Sequence, residues 1–289
     1  MIKKILFSSS IFFAASIHAG CLDKVIYGND NRLDVYESPN ALYKKLSSST
    51  AAMIPSSSLE AKEENYTIKS GNLEGDGVCS DARFAKQQTA AMCSGFLVGS
   101  DLLLTAGHCI QSMSDCDSNS WVFDYANTTA ERSVFSINKK DVYKCIKIIA
   151  RALDDSTDND FALVKLDRPT DRAPLSYRKS GRVSDCSELV VIGHPSGLPT
   201  KISDDAYVRN NSNKYFFQTN LDTFGGNSGS AVFDTKTGKV EGILVRGERD
   251  YVLDSVSNCY RPKVCKMNEC RGEDVTRITN IKELKNLKR

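Results

Sequence analysis

"CSGFLVGSDLLLTAGHC", residues 93–109, is the stretch that decides the fold. Two apolar runs, 93–99 and 101–106, flank a Gly-Ser-Asp turn. Runs this short around such a turn are a hairpin signal. The same grammar returns down the chain in "NDFALVKL" (159–166), "ELVVIG" (188–193), "KYFFQTNL" (214–221), "SAVF" (230–233) and "KVEGILV" (239–245), with "DTKTG" (234–238) as a turn between the last two. Short strands and turns at regular intervals predict an all-β protein, a sandwich or barrel. The polar segment "DRPTDRAPLSYRKSGR" (167–182), with two prolines and a glycine, reads as the linker between a first half, 76–168, and a second, 169–289. Residues 21–75, with the serine runs 47–49 and 56–58, read as an extended arm. At the other end Ile278, Ile281, Leu284 and Leu287 recur every third residue, which predicts a C-terminal helix docked by one apolar face.

The 289-residue chain begins "MIKKILFSSSIFFAASIHAGC". Two lysines, an apolar stretch to Ile17 and small residues at Ala19 and Gly20 read as a secretory signal, residues 1–20. The stretch is shorter than the ~20 residues a membrane span needs, and no later segment is long and apolar enough to span. Export to a secreted or periplasmic location follows, and with it disulfides among the ten cysteines. Lipidation of Cys21 would leave an odd number. Net charge is +2, and the lysines of the signal account for it. A near-neutral mature chain argues against a nucleic-acid binder.

The second informative stretch is "DTFGGNSGSA" (222–231), glycine-rich chemistry set between two strand signals. Ser228 in it is a candidate nucleophile, but a hydroxyl needs a base, an orienting group and oxyanion donors. Beyond the signal the chain has two histidines, His108 and His194. Neither follows Ser228, which excludes the Ser…acid…His order of the α/β-hydrolases, and the stretch is no G-x-S-x-G elbow. There is no HExxH, so nothing calls for a metal or another cofactor. His194, between a strand and Pro195, reads as a turn residue. His108 ends a strand and precedes Cys109, sixteen residues after Cys93; a disulfide between those two would staple the loop that carries the imidazole. Among the acids of "DSTDNDFALVKL", Asp160 enters directly into the apolar run and should be the most buried.

"TAGHC", "NDFALVKL" and "GGNSGSAV", in that order, resemble the chymotrypsin-like (trypsin-fold) serine peptidases over most of residues 78–250. "NSGS" and "VIYGNDNR" are closer to the bacterial branch related to glutamyl endopeptidases than to animal trypsins. The resemblance implies two antiparallel β-barrels with the site between them, a polypeptide substrate, no cofactor and a monomer. It implies His108 as general base and acid, Asp160 as its orienting partner, Ser228 as nucleophile, and the N–H groups of Gly226 and Ser228 as the oxyanion hole. Asn227 stands where animal trypsins carry an aspartate that pairs with a newly cut N-terminus, and a neutral amide cannot make that ion pair. Cleavage after Lys24 would instead expose Val25.

The resemblance places Asp222 at the floor of the specificity pocket and residues 244–247, Leu244 to Gly247, along its wall. A buried carboxylate at 222 implies arginine or lysine before the cut. The pocket histidine of glutamyl endopeptidases falls near Leu244, where there is no imidazole, although Arg246 and Arg249 could receive an acidic side chain. Two further readings stand beside the endopeptidase: a catalytically silent binding protein of the same fold, and a toxin-like peptidase with one narrow target.

Overall fold

The computed structural model describes residues 30–130, 135–265 and 270–287. The signal segment, Cys21 and Val25 lie outside these residues. The described chain is mostly β, 41% strand and 12% helical. Its main strands are β1 (Leu33–Asp34), β2 (Thr50–Pro55), β3 (Cys93–Leu97), β4 (Leu102–Thr105), β5 (Asn119–Phe123), β6 (Val142–Tyr143), β7 (Cys145–Asp154), β8 (Asn159–Leu166), β9 (Glu188–Gly193), β10 (Lys201–Asn210), β11 (Phe216–Thr219), β12 (Ala231–Asp234), β13 (Val240–Arg246), β14 (Tyr251–Asp254), β15 (Cys259–Pro262) and β16 (Glu273–Arg277).

Two seven-stranded antiparallel sheets account for most of them. The first has the order β6-β5-β2-β3-β4-β8-β7 and curls into a half-barrel. The second has the order β1-β10-β9-β12-β13-β16-β11, and an additional pairing of β10 with β11 closes six of its strands into a barrel. The hairpin at 93–109 forms as its pattern predicts, with Phe96 opposite Leu104 and Leu97 opposite Leu103. All five residues of β3 are buried. β8 is buried at six of eight positions, which is why it reads as a continuous apolar run rather than an alternating one.

One core serves both sheets: Phe96, Leu104, Trp121 and Leu163 of the first pack in the same cluster as Val190, Ile192 and Ile243 of the second. Each such side chain contributes roughly 1.5–3 kcal/mol by leaving water. A second cluster, with Leu189, Val232, Leu244 and Val275, fills the closed barrel.

Residues 21–75 are more than an arm. Within them β2 lies at the centre of the first sheet, paired with β3 on one side and β5 on the other. β1 meanwhile pairs with β10 of the second barrel. Asp34 anchors that crossing. Its carboxylate accepts from Lys201 Nζ at 2.5 Å, Asn127 Nδ2 at 3.0 Å and Gln87 Nε2 at 2.8 Å, and Asp34 and Lys201 are both buried. A buried ion pair holds its place only with hydrogen bonds completed around it, as here.

The predicted C-terminal helix is corrected: the chain ends in two 3₁₀ turns, Ile278–Asn280 and Lys282–Asn286. A spacing of three is the 3₁₀ period, so Ile278, Ile281 and Leu284 fall on one buried face without any α-helix. The 167–182 linker carries no strand, but it is packed: Leu175 and Tyr177 are buried, and Tyr177 donates its hydroxyl to the Leu284 carbonyl at 3.0 Å. Disulfides join Cys93–Cys109, Cys116–Cys145, Cys79–Cys259 and Cys265–Cys270, and no described cysteine is free.

Candidate active site

Register brings His108 to Asp160. β8 pairs with β4 so that Ala162 lies opposite Thr105. Two residues before Ala162 stands Asp160; three residues after Thr105 the chain turns back over it as His108. Asp160 is 2% exposed and accepts three hydrogen bonds: from Gly107 N at 2.6 Å, from His108 N at 3.1 Å and from His108 Nδ1 at 2.8 Å. With Nδ1 so bonded, Nε2 is the ring nitrogen left to work. The imidazole is about one-third exposed. It lies within 4.8 Å of the sulfurs of Cys93 and Cys109, which are bonded to each other and so are not metal ligands.

Ser228 approaches this loop from the second barrel, in the turn between β11 and β12. Its carbonyl accepts from Ser94 N at 2.8 Å and lies 3.7 Å from Cys109 Sγ, the residue next to His108. Gly229 seats the turn against the first sheet. Its φ is +90°, and a Cβ there would fall 2.0 Å from the Ser94 carbonyl and 2.3 Å from Thr105 Oγ1. No L side chain fits.

Gly226 also has φ +90°, with the carbonyl of His194 and N of Gly197 where a Cβ would stand. The peptide before it is pinned at both ends of Gly225: the N–H donates to Asp250 at 2.7 Å, and the carbonyl accepts from Ser196 N at 2.5 Å. A trans peptide sends its N–H opposite to its carbonyl, so the Gly226 N–H leaves away from the 194–198 loop. Among the described residues neither that N–H nor the Ser228 N–H meets a protein acceptor. Asn227 is buried, and its side-chain oxygen accepts from Ser230 Oγ at 3.2 Å.

A depression of about 200 Å³ opens beside Ser228, walled by Thr223, residues 244–248 and Glu273. Leu244 and Gly247 both line it. Asp222 is not in this wall. It lines the adjoining hollow together with Glu273 and Asp30, and its carboxylate takes the Asn31 N–H at 3.4 Å. Burial raises the Asp222 pKa to about 8. Arg246 is already partnered: it pairs with Asp274 at 3.3 Å, donates to the Asp158 carbonyl at 2.8 Å and lies 4.0 Å from Asp160. His194 is fully buried, its Nδ1 3.0 Å from the Leu198 carbonyl, away from the site.

Several residues of the site carry no motif in the sequence. Ser94 joins the two sheets, donating its hydroxyl to the Gly226 carbonyl at 2.8 Å and accepting from His194 N at 3.0 Å. Ser196 and Asp250 fix Gly225. Glu273, 5% exposed, accepts from the Thr223 hydroxyl and from Glu248 N at 3.2 Å. Burial, with the charge of Asp250 adding to it, pushes its carboxyl up to about 8. Its stretch, "GEDVTRI", is mostly polar and carries no local cue that could have found it.

The model of the trypsin-like peptidase domain matches residues 93–243, just over half of the chain. The chain belongs to that family and is by class a serine endopeptidase. No curated protein matches it in sequence. Among solved structures it is similar to VesB protease of Vibrio cholerae, at 15% identity over 86% of this chain and 64% of that one, with a TM-score of 0.50. It is also similar to a Glu endopeptidase in complex with MPD, at 16% identity over 83% and 94% and a TM-score of 0.47. The Rv3671c protease of M. tuberculosis in its active form is a third, at 13% identity over 83% and 80%, with a TM-score of 0.46. At such identities the likeness is one of fold.

Proposed function

We propose that the chain is an exported endopeptidase in which Ser228, His108 and Asp160 act as one unit. The Ser228 hydroxyl attacks the scissile carbonyl while His108 Nε2 takes its proton. The oxyanion that forms is received by the N–H groups of Gly226 and Ser228. As it collapses, the same imidazole gives its proton to the leaving amine, and an acyl-enzyme remains. Water, activated by the same base, releases the acid and restores Ser228. Asp160 holds the imidazole in the required tautomer and stabilises the imidazolium.

The observation that carries this reading is the Asp160 carboxylate. It is buried, bonded to His108 Nδ1, and held by the two backbone N–H groups that fix the loop of His108. Nothing about a plain structural turn requires all three. The pinned peptide ahead of Gly226 supports an oxyanion hole that exists before substrate arrives. Satisfied hydrogen bonding at Asn227 supports a site that needs no new N-terminus paired to residue 227. The disulfides support an oxidising destination, outside the cell or in the periplasm. The acids around the depression support arginine or lysine before the cut.

A fluorophosphonate probe tests the chemistry. The folded mature protein should label on Ser228, and Ser228→Ala should lose both labelling and peptide hydrolysis, the latter by about 10⁶-fold. A protein that folds, does not label and cleaves no peptide library is the silent binding protein instead. Cleavage confined to one sequence of several residues would favour the narrow-target peptidase.

A further inference from the structure

The acids near Ser228 are not equivalent, and their hydrogen bonds separate them. Asp250 is committed to the Gly225 N–H. Glu248 is met by Lys263 Nζ and by the N–H groups of Arg249 and Arg271, all at 3.0 Å. Asp222 lies outside the wall of the depression that holds Ser228. Glu248, Asp250 and Glu273 line both hollows; of the three only Glu273 is buried, and it is met by neutral donors, the Thr223 hydroxyl on one wall and the Glu248 N–H on the other. The cation that acts on it, Arg271, is itself paired with Asp274.

Its position is as telling as its partners. A Cβ on Gly247 would fall 1.9 Å from Glu273 Oε2. The carboxyl therefore occupies the space that a side chain at 247 would take, and it bridges from the Gly247 wall to the Thr223 wall. Glu273 shares the depression that holds Ser228, whereas Asp222 lines only the adjoining hollow. A buried carboxyl with no cation of its own is completed by one brought from outside, because charge-assisted hydrogen bonds are strong where water is excluded.

We infer that Glu273, and not Asp222, is the residue that selects the side chain before the scissile bond, and that it takes a cation, arginine or lysine. This rests on the endopeptidase reading above and names the specificity of the same site. Arg249, which lines the outer hollow, marks the opposite possibility, an acidic side chain.

The test uses matched fluorogenic peptides with Arg, citrulline, Lys, Gln or Glu before the cleaved bond. Citrulline keeps the shape of arginine without its charge. Rates are expressed per fluorophosphonate-labelled site, so that misfolded molecules drop out. Wild type should favour Arg over citrulline by about 100-fold in kcat/KM, and Glu273→Gln should reduce that ratio below about tenfold. Glu273→Asp, which keeps the charge on a shorter stem, should restore part of the ratio. Asp222→Asn should keep most of it. A ratio that collapses in Asp222→Asn and survives in Glu273→Gln overturns the assignment in favour of Asp222. A wild type that prefers Glu, or is indifferent to charge while labelling normally, overturns the cationic specificity but leaves the peptidase reading standing. A wild type that neither labels nor cleaves overturns both.

Discussion

Asp160 and Glu273 are both acids at the start of a strand and both almost fully buried. Their surroundings differ in kind. Asp160 receives three N–H donors, one of them an imidazole, all within 3.1 Å. Glu273 receives a hydroxyl and a single N–H, and burial dominates its titration. The first carboxylate is completed by its own chain; the second is left for something else to complete. That contrast separates a group that supports chemistry from a group that recognises a ligand, although composition and burial describe them alike.

The sharpest way to break the contrast is Asp160→Asn. An amide in its place would present N–H where an acceptor is needed and would favour the wrong imidazole tautomer. The expected loss is about 10⁴-fold in kcat, with little change in KM, measured on folded protein by single-substrate kinetics. A loss under tenfold would mean that Asp160 only shapes the loop. Loss of binding rather than rate would place Asp160 with Glu273 and erase the distinction.

Gly226 and Gly225 offer a second comparison, one residue apart. At Gly226 φ is +90°, and a Cβ would stand 2.5 Å from the His194 carbonyl. At Gly225 the nearest atom to a Cβ is Asp250 Oδ2 at 3.2 Å, the tip of a side chain. Gly226→Ala should therefore rotate the peptide that carries the oxyanion donor, with a loss of about 10²–10³-fold in kcat. Gly225→Ala should cost clearly less. Equal losses would show that the whole turn moves as one body and that no single N–H is critical.

How far the site could be read from the sequence follows the same division. His108, Asp160 and Ser228 sit in local patterns, a strand running into a turn or a turn into a strand, although the contacts between them come from register and from packing of the two sheets. The Cys93–Cys109 pair was legible for the same reason. Glu273 and Asp250 were not, because their roles arise from register between β13 and β16 and from a hairpin, β14–β15, that no local pattern announces. β2 was hidden inside a serine-rich stretch: "TAAMIP" is too short and too poor in β-branched residues to declare a central strand, and only its pairing with β3 and β5 buries it. The C-terminal segment shows a period of three read as one turn of the wrong helix.

The smallest effect follows from titration. The carboxyls of Glu273 and Asp222 are raised from 4.5 and 3.8 to about 8, in each case by burial first. Between those values the folded chain holds protons that the unfolded chain has released. Their contribution to stability is therefore full below about pH 4 and is lost as pH rises to about 8. Glu273→Gln removes one such group. Relative to wild type, its melting temperature should climb between pH 5 and pH 8, by a few degrees for a chain of this size. Asp222→Asn should climb by a similar amount, since its carboxyl is raised to about 8 as well. A difference that stays flat across this range would mean that Glu273 is ionised in the folded protein before any ligand arrives. The depression would then hold a ready-made anion, and the contrast with Asp160 would reduce to a count of hydrogen bonds.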